Sequence, residues 1–182
     1  MGIPGCGKGK QAELLSKKTG FLIYSTGNEY RKMALGNNLV ASKVSEVLDV
    51  GGLQPAWLST FLFQKSLLGL SPEDGIVFEG VGRKEPEARI FTEVCEWLGR
   101  DFRVFHLNVS EESVIERLRK RQEIEGRTDD DPSVFQNRLK NFYEYTAPAI
   151  TYFRSINKVI DIDGEPLPDA VFAELWQKVS AL

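Results

Sequence analysis

At 182 residues and 42% hydrophobic content, the chain is long enough to bury one sizeable core and is read as a single domain. A net charge of −3 and a pI near 5.4 exclude a general nucleic-acid or membrane-surface role, so any anion site must come from a local cluster of basic side chains. Cys6 and Cys95 are too few for a zinc site or a disulfide framework. No apolar run reaches the roughly 18 residues of a membrane span, and no signal-peptide pattern opens the chain, so a reducing cytoplasmic setting is expected.

The chain opens on Gly2-Ile3-Pro4-Gly5-Cys6-Gly7-Lys8-Gly9-Lys10, with four glycines in eight positions. That spacing lets a backbone wrap an anion with its N–H groups inward, while Lys8 adds a point charge and the following helix its positive end. Gly9 and Lys10 stand where the general pattern has a Ser or Thr hydroxyl for Mg²⁺. A phosphate loop hangs between a buried strand and a helix, yet only Met1 precedes Gly2. We therefore expect an anchoring strand upstream of this sequence, or another segment in its slot.

Four short runs read as strands: 21–25, 76–79, 102–109 and 158–162. Helical patterns cover 11–17, 56–68, 86–97, 111–121, 132–154 and 168–179, with starts signalled by Ser110 and by Asp131 ahead of Pro132. Such alternation predicts an α/β fold with a mostly parallel sheet covered on both faces. The polar loop 122–131, carrying Gly126 and three aspartates, reads as a short lid. His106 lacks an acidic or cysteine neighbour in sequence and reads as a satisfied or half-exposed histidine. Trp57, Trp97 and Trp176 read as packing residues, and the absence of an evident apolar stripe favours a monomer.

Taken together these motifs resemble the adenylate kinase family of nucleoside monophosphate kinases, over nearly the whole chain. Gly2 to Ala12 is similar to G-x-P-G-x-G-K-G-T-Q-A, with Lys10 in place of Thr. Ser25 to Arg31 is similar to S-T-G-D-x-x-R, Gly52-Leu53-Gln54-Pro55 to G-x-L-V-P, and Glu79 to Arg83 to D-G-F-P-R. Gly126 to Asp130 followed by Arg138-Leu139 resembles the lid and its helix, and Thr146-Ala147-Pro148 with Tyr152-Phe153 resembles T-x-P-x-x-x-Y-Y. The resemblance implies a P-loop three-layer α/β/α fold around five parallel strands, the first apparently missing from this chain. It implies one domain over 1–182, with a monophosphate-binding insertion at about 25–54 and a lid at about 121–131.

It also implies reversible transfer of the terminal phosphoryl group of MgATP to AMP, giving two ADP. Gly5, Cys6, Gly7, Lys8, Gly9 and Lys10 would hold the donor phosphates, Arg117 would stack on the donor base, and the backbone near Gly164 and Glu165 would read its edge. Thr26, Arg31, Gly52, Leu53, Gln54, Gly80, Arg83 and Glu87 would form the acceptor site. Arg121, Arg127 and Arg138 would close over the transferring group, Arg127 and Arg138 reaching the acceptor as well, with Lys8 and Arg83 completing the catalytic set. Glu79 would reach nucleotide-borne Mg²⁺ through water, with no metal held by the protein directly. Arginine suits this work because its planar fork pairs two phosphate oxygens and stays charged. On the residues alone, Arg117, Arg119 and Arg121 also fit a solvated helix face, and Arg138 an arginine lying along apolar surface.

The departures keep rivals open. Glu79 is one methylene longer than the family's Asp, and Val81-Gly82 replace its aromatic and proline. Lys10 places a cation in the first helical turn, which is unfavourable for the helix dipole unless phosphate is bound. Glu87 stands where the family reads adenine with glutamine. An ionised carboxylate can only accept, which suits guanine's paired donors better than adenine's N1. AMP is the acceptor expected, with a guanylate- or pyrimidine-directed kinase and a non-catalytic nucleotide-binding module as alternatives.

Overall fold

Among the described residues, short β-branched and aromatic runs form four strands: β1 Leu22–Ser25, β2 Ile76–Glu79, β3 Val104–Asn108 and β4 Val159–Asp163. The computed structural model describes residues 1–125 and 132–182, and the side chains of all of these except 119–125, 132 and 133. Around the strands lie α1 Lys8–Thr19, α2 Thr26–Ala34, α3 Leu39–Asp49, α4 Ala56–Leu68, α5 Glu85–Trp97, α6 Glu111–Glu125, α7 Pro132–Asn141, α8 Ala147–Ser155 and α9 Pro168–Val179. The strand and helix alternation expected from the sequence is present, and the observed strand pairs are parallel.

β1 pairs with β2, Leu22 opposite Ile76, and β3 pairs with β4, Val104 opposite Val159. Among the described residues these form two separate two-stranded sheets rather than one continuous sheet. Met1 lies along the free edge of β3, where its amino group donates to Phe105 O and its carbonyl accepts from Leu107 N at 2.9 Å.

Two helices, α2 and α3, escaped the sequence reading. Their starts are fixed by side-chain caps: Ser25 Oγ accepts from Asn28 N at 3.4 Å, and Asn38 Oδ1 from Ala41 N at 2.9 Å. Each buries a narrow apolar face, Tyr30 from α2 and Val44 from α3, against Leu58 of α4. The helix expected over 132–154 is broken by a π-helical turn at Phe142–Thr146. Pro148 has no N–H to donate to Glu144 and its ring crowds that carbonyl, which forces the wider turn.

One core cluster gathers Leu107, Val114, Ile150 and Ile162. A second is aromatic: Phe91 meets Phe63, Phe78 and Phe102 edge-to-face at centroid distances of 5.5, 5.5 and 5.1 Å. Phe63 is 1% exposed, so Phe63→Ala should leave a cavity and lower stability by about 3–5 kcal/mol. Urea denaturation checks this; a loss below about 1 kcal/mol would mean that the cluster closes over the gap.

Two tryptophan expectations fail. Trp57 and Trp97 are 69% and 78% exposed, while Trp176 packs against the first cluster under Lys18, whose Nζ stands 5.2 Å from its ring. Trp57, Phe61 and Leu68 share an exposed face of α4, so the chain does carry an apolar stripe. Its period in sequence was hidden because α4 is apolar nearly all round. His106 is satisfied by a partner that only strand register supplies, Asp161 Oδ1 at 2.9 Å from its Nδ1.

Candidate active site

The glycine-rich stretch folds as a loop leading into α1, with Gln11 N bonded back to Gly7 O at 3.1 Å. Gly5 has φ +83°, and a Cβ there would come within 2.7 Å of Val114 Cγ1, so the loop's close approach to α6 requires glycine. Lys8 Nζ donates to Gly2 O at 2.9 Å and Ile3 O at 2.8 Å and lies 3.5 Å from Cys6 Sγ. The ammonium is thereby held at the loop. Lys8, Gly9 and Lys10 make up the first turn of α1 with no acidic side chain among them. Two cations at the positive end of a helix are favourable only beside an anion.

This loop forms one wall of a cleft of about 690 Å³. Gly5, Gly7, Lys8, Gly9 and Lys10 line it, as does Arg117. Also in the lining are Thr26 and Arg31 of α2, the segment Gly52-Leu53-Gln54, Gly80, Arg83 and Glu87, and Arg138 of α7. Elements far apart in sequence thus bring six described basic residues, Lys8, Lys10, Arg31, Arg83, Arg117 and Arg138, to one opening. The side chain of Arg121 and the whole of Arg127 lie outside the described residues, as does most of the expected lid at 121–131.

Two expected residues are not in the cleft wall. Cys6 is buried beneath the loop. Glu165 turns its carboxylate to the start of α6, accepting from Ser110 N at 2.6 Å. The backbone there is tied to a residue of the cleft lining, since Arg117 Nη2 donates to Gly164 O at 2.8 Å and Glu165 O at 2.9 Å.

Glu79, at the end of β2, accepts from Ser25 Oγ at 2.5 Å. Burial alone would push its carboxyl up. The Ser25 hydroxyl and the charges of Arg83, Lys8 and the amino terminus outweigh that and hold it below the usual carboxylate range. Gly80 follows with φ +83°, and a Cβ there would meet Arg83 Nη2 at 2.9 Å, so glycine lets the guanidinium fold back toward the strand end. Among the described residues no group of three potential metal-ligating side chains converges. An ionised Glu79 beside a hydroxyl suits a metal that arrives with its own ligands.

Glu87 is 2% exposed, and its Oε2 accepts from Arg83 N at 3.1 Å and Lys84 N at 3.4 Å at the start of α5. Burial pushes its carboxyl up, opposed by those amides, the Lys84 charge and the Ser59 hydroxyl. Ser59 in turn shares a 2.6 Å hydrogen bond with Tyr30. Tyr30 and Ser59 both line the cleft and were not among the expected site residues. Tyr30 lies inside a motif, whereas Ser59 sits in an apolar helix with nothing in sequence to mark it. Gln54 spends an amide hydrogen on Val44 O at 2.9 Å, and Lys84 Nζ donates to Gln54 O at 3.0 Å. Thr26 Oγ1 is buried at the cleft wall with no hydrogen-bond partner among the described residues. A ligand with polar atoms would satisfy it.

Phosphate loop, arginine cluster and ionised carboxylate are the parts that phosphoryl transfer between nucleotides requires. The family profile described as Adenylate kinase matches residues 1–158. The chain is 31% identical to an adenylate kinase of Hyphomonas neptunium over 96% of its own length and 93% of that protein's. It is 34% identical to one of Mycobacterium tuberculosis over 95% and 93%, and 32% identical to one of Maricaulis maris over 94% and 92%. The loop, the arginines and this similarity along nearly the whole length agree, and the chain belongs to the adenylate kinase family.

Proposed function

We propose that the chain transfers the terminal phosphoryl group of MgATP to AMP, with the donor on the Gly5–Lys10 side of the cleft and the acceptor between α2, the 52–54 segment and the start of α5. The observation that carries this reading is the convergence of Lys8, Arg31, Arg83, Arg117 and Arg138 on one cleft. A module that only bound ATP would not need cations along both walls.

An oxygen of the acceptor's phosphate attacks the donor's terminal phosphorus in line, the bond to the bridging oxygen breaks, and the negative charge passes to the departing ADP. Lys8 and the loop amides neutralise the donor phosphates, and Arg83 clamps the acceptor's phosphate from the end of β2. Arg31 approaches it from α2, where Asn28 Oδ1 steadies the guanidinium at 2.6 Å. Arg138 comes from α7, whose Asn141 Nδ2 is tied to Gly51 O at 3.2 Å. Nucleotide-borne Mg²⁺ would supply charge neutralisation at the phosphate oxygens, and Glu79 would hold it through water. In this reading residues 25–54 form the monophosphate-binding insertion and 121–131, with Arg121 and Arg127, the lid. The same reading takes the enzyme as a cytoplasmic monomer; no described helix is long and apolar enough to cross a membrane.

The acceptor is AMP, because the relatives bear that name and because Glu87 is engaged at the α5 start rather than freely presenting a carboxylate. Steady-state turnover of MgATP with AMP, GMP, CMP and UMP tests this. AMP should give a kcat/KM at least tenfold above the others. Glu87→Gln should change the AMP:GMP ratio less than about threefold, since glutamine can still accept from the Arg83 and Lys84 amides. A GMP preference in the parent chain would reject the assignment.

A further inference from the structure

Tyr30, Ser59 and Glu87 stand on three different helices, α2, α4 and α5, and all three line the cleft. Tyr30 and Glu87 are 7% and 2% exposed, and the core around Tyr30 is otherwise apolar, built from Val44 and Leu58. Tyr30 OH and Ser59 Oγ are 2.6 Å apart, and the Ser59 hydroxyl also bonds the Glu87 carboxylate. An ionised carboxylate only accepts, so Ser59 gives its one proton to Glu87 and takes that of Tyr30. Glu87 Oε2 in turn accepts from Arg83 N at 3.1 Å and Lys84 N at 3.4 Å. The result is a directed chain of hydrogen bonds from the α2 phenol, through α4, to the peptide of Arg83. Arg31 is the residue after Tyr30. The chain therefore runs between the two stretches of backbone that carry Arg31 and Arg83.

We propose that Tyr30, Ser59 and Glu87 are positioning residues that hold Arg31 and Arg83 at the separation one phosphate monoester requires. The inference rests on the reading of AMP as acceptor and adds how its phosphate clamp is set. Two guanidinium forks that grip one phosphate must keep their places to within about 0.5 Å. Helix α4 packs on both α2 and α5, so a link between them passes through it, and Ser59 is where this one does. Burying a carboxylate costs stability unless its lone pairs are met, and apolar side chains of similar size would fill the same space without that cost. A network in which each member is met is stiff, which is the property a clamp needs. The strut has a branch as well. Lys84, whose amide Glu87 holds, donates from Nζ to Gln54 O at 3.0 Å and so ties in the 52–54 segment.

AMP and adenosine differ only in the phosphate, so their binding separates the setting of the arginines from contact with the base. Each is titrated by NMR with the donor side filled by the magnesium complex of β,γ-methylene ATP, which keeps the readout independent of turnover. Ser59→Ala should weaken AMP about five- to tenfold, the range of one lost hydrogen bond, and leave adenosine within about twofold. Tyr30→Phe keeps the ring and should act in the same direction. The double variant should bind AMP no more than about twofold more weakly than Ser59→Ala, because either change breaks the same chain. In turnover, Ser59→Ala should raise KM for AMP while KM for ATP stays within about twofold. Equal weakening of AMP and adenosine would make these residues base contacts, and unchanged AMP affinity in Ser59→Ala would make them packing alone. Independent effects in the double variant would uncouple Tyr30 from Ser59. Each of these results overturns the proposal. A parent chain that prefers GMP rejects the acceptor reading instead, and the same comparison run with GMP and guanosine then tests the clamp.

Discussion

Lys8→Met should lower kcat with MgATP and AMP by about 10²–10³-fold, the usual loss when one preorganised charge is removed from a site of developing phosphate charge. Methionine keeps the length and apolar stem of the side chain, so the change isolates the ammonium. The Lys8 ammonium also bonds Gly2 O and Ile3 O, and part of any loss could arise from a loosened loop. The two contributions separate in the kinetic constants. Loss of phosphate charge stabilisation lowers kcat while KM for AMP stays within about threefold. A loosened loop would instead raise KM for ATP and speed hydrogen exchange over residues 2–7. A fall in kcat below fivefold would reduce Lys8 to a strut of the loop.

Arg83→Gln should reduce kcat/KM for AMP by about 10²–10³-fold, with KM for ATP nearly unchanged, because Arg83 lines the cleft and, in the proposed reading, clamps the acceptor's phosphate. It should also move the acid limb of the rate profile upward. Glu79 feels burial, which raises its pKa, and is brought below the ordinary range by Ser25 first and then by Arg83. Glu79 is ionised above its depressed folded pKa, and both its role and the stability it contributes are lost as pH falls through that value. Without the Arg83 charge, that loss begins at higher pH. A kcat–pH profile of the variant that overlays the parent's would mean that Arg83 does not tune Glu79.

The sequence by itself determined the chemistry that short-range order can encode. Glycine spacing fixed the phosphate loop, because only those residues allow the positive φ angles and close approaches it needs, as at Gly5 against Val114. Alternating runs fixed the strands and most helices, with α4 and α9 placed residue for residue. Arg31 and Arg83 were legible because each sits in a motif with its own punctuation, whereas Arg117 and Arg138 fit ordinary helix surface until the family resemblance was drawn. Helices α2 and α3 were not, since their starts depend on Ser25 and Asn38 side chains and their apolar faces are narrow.

Tertiary structure decided the rest. It turned Glu165 away from the cleft toward Ser110 N, engaged Glu87 at the start of α5, and brought Ser59 into the wall from a helix with no polar signature. It paired His106 with Asp161 through strand register, a contact 55 residues apart in sequence. It also exposed Trp57 and Trp97, which composition would bury. Each of these depends on which elements pack side by side. Local patterning sets what a segment can become, but burial and partner geometry are properties of the assembled layers.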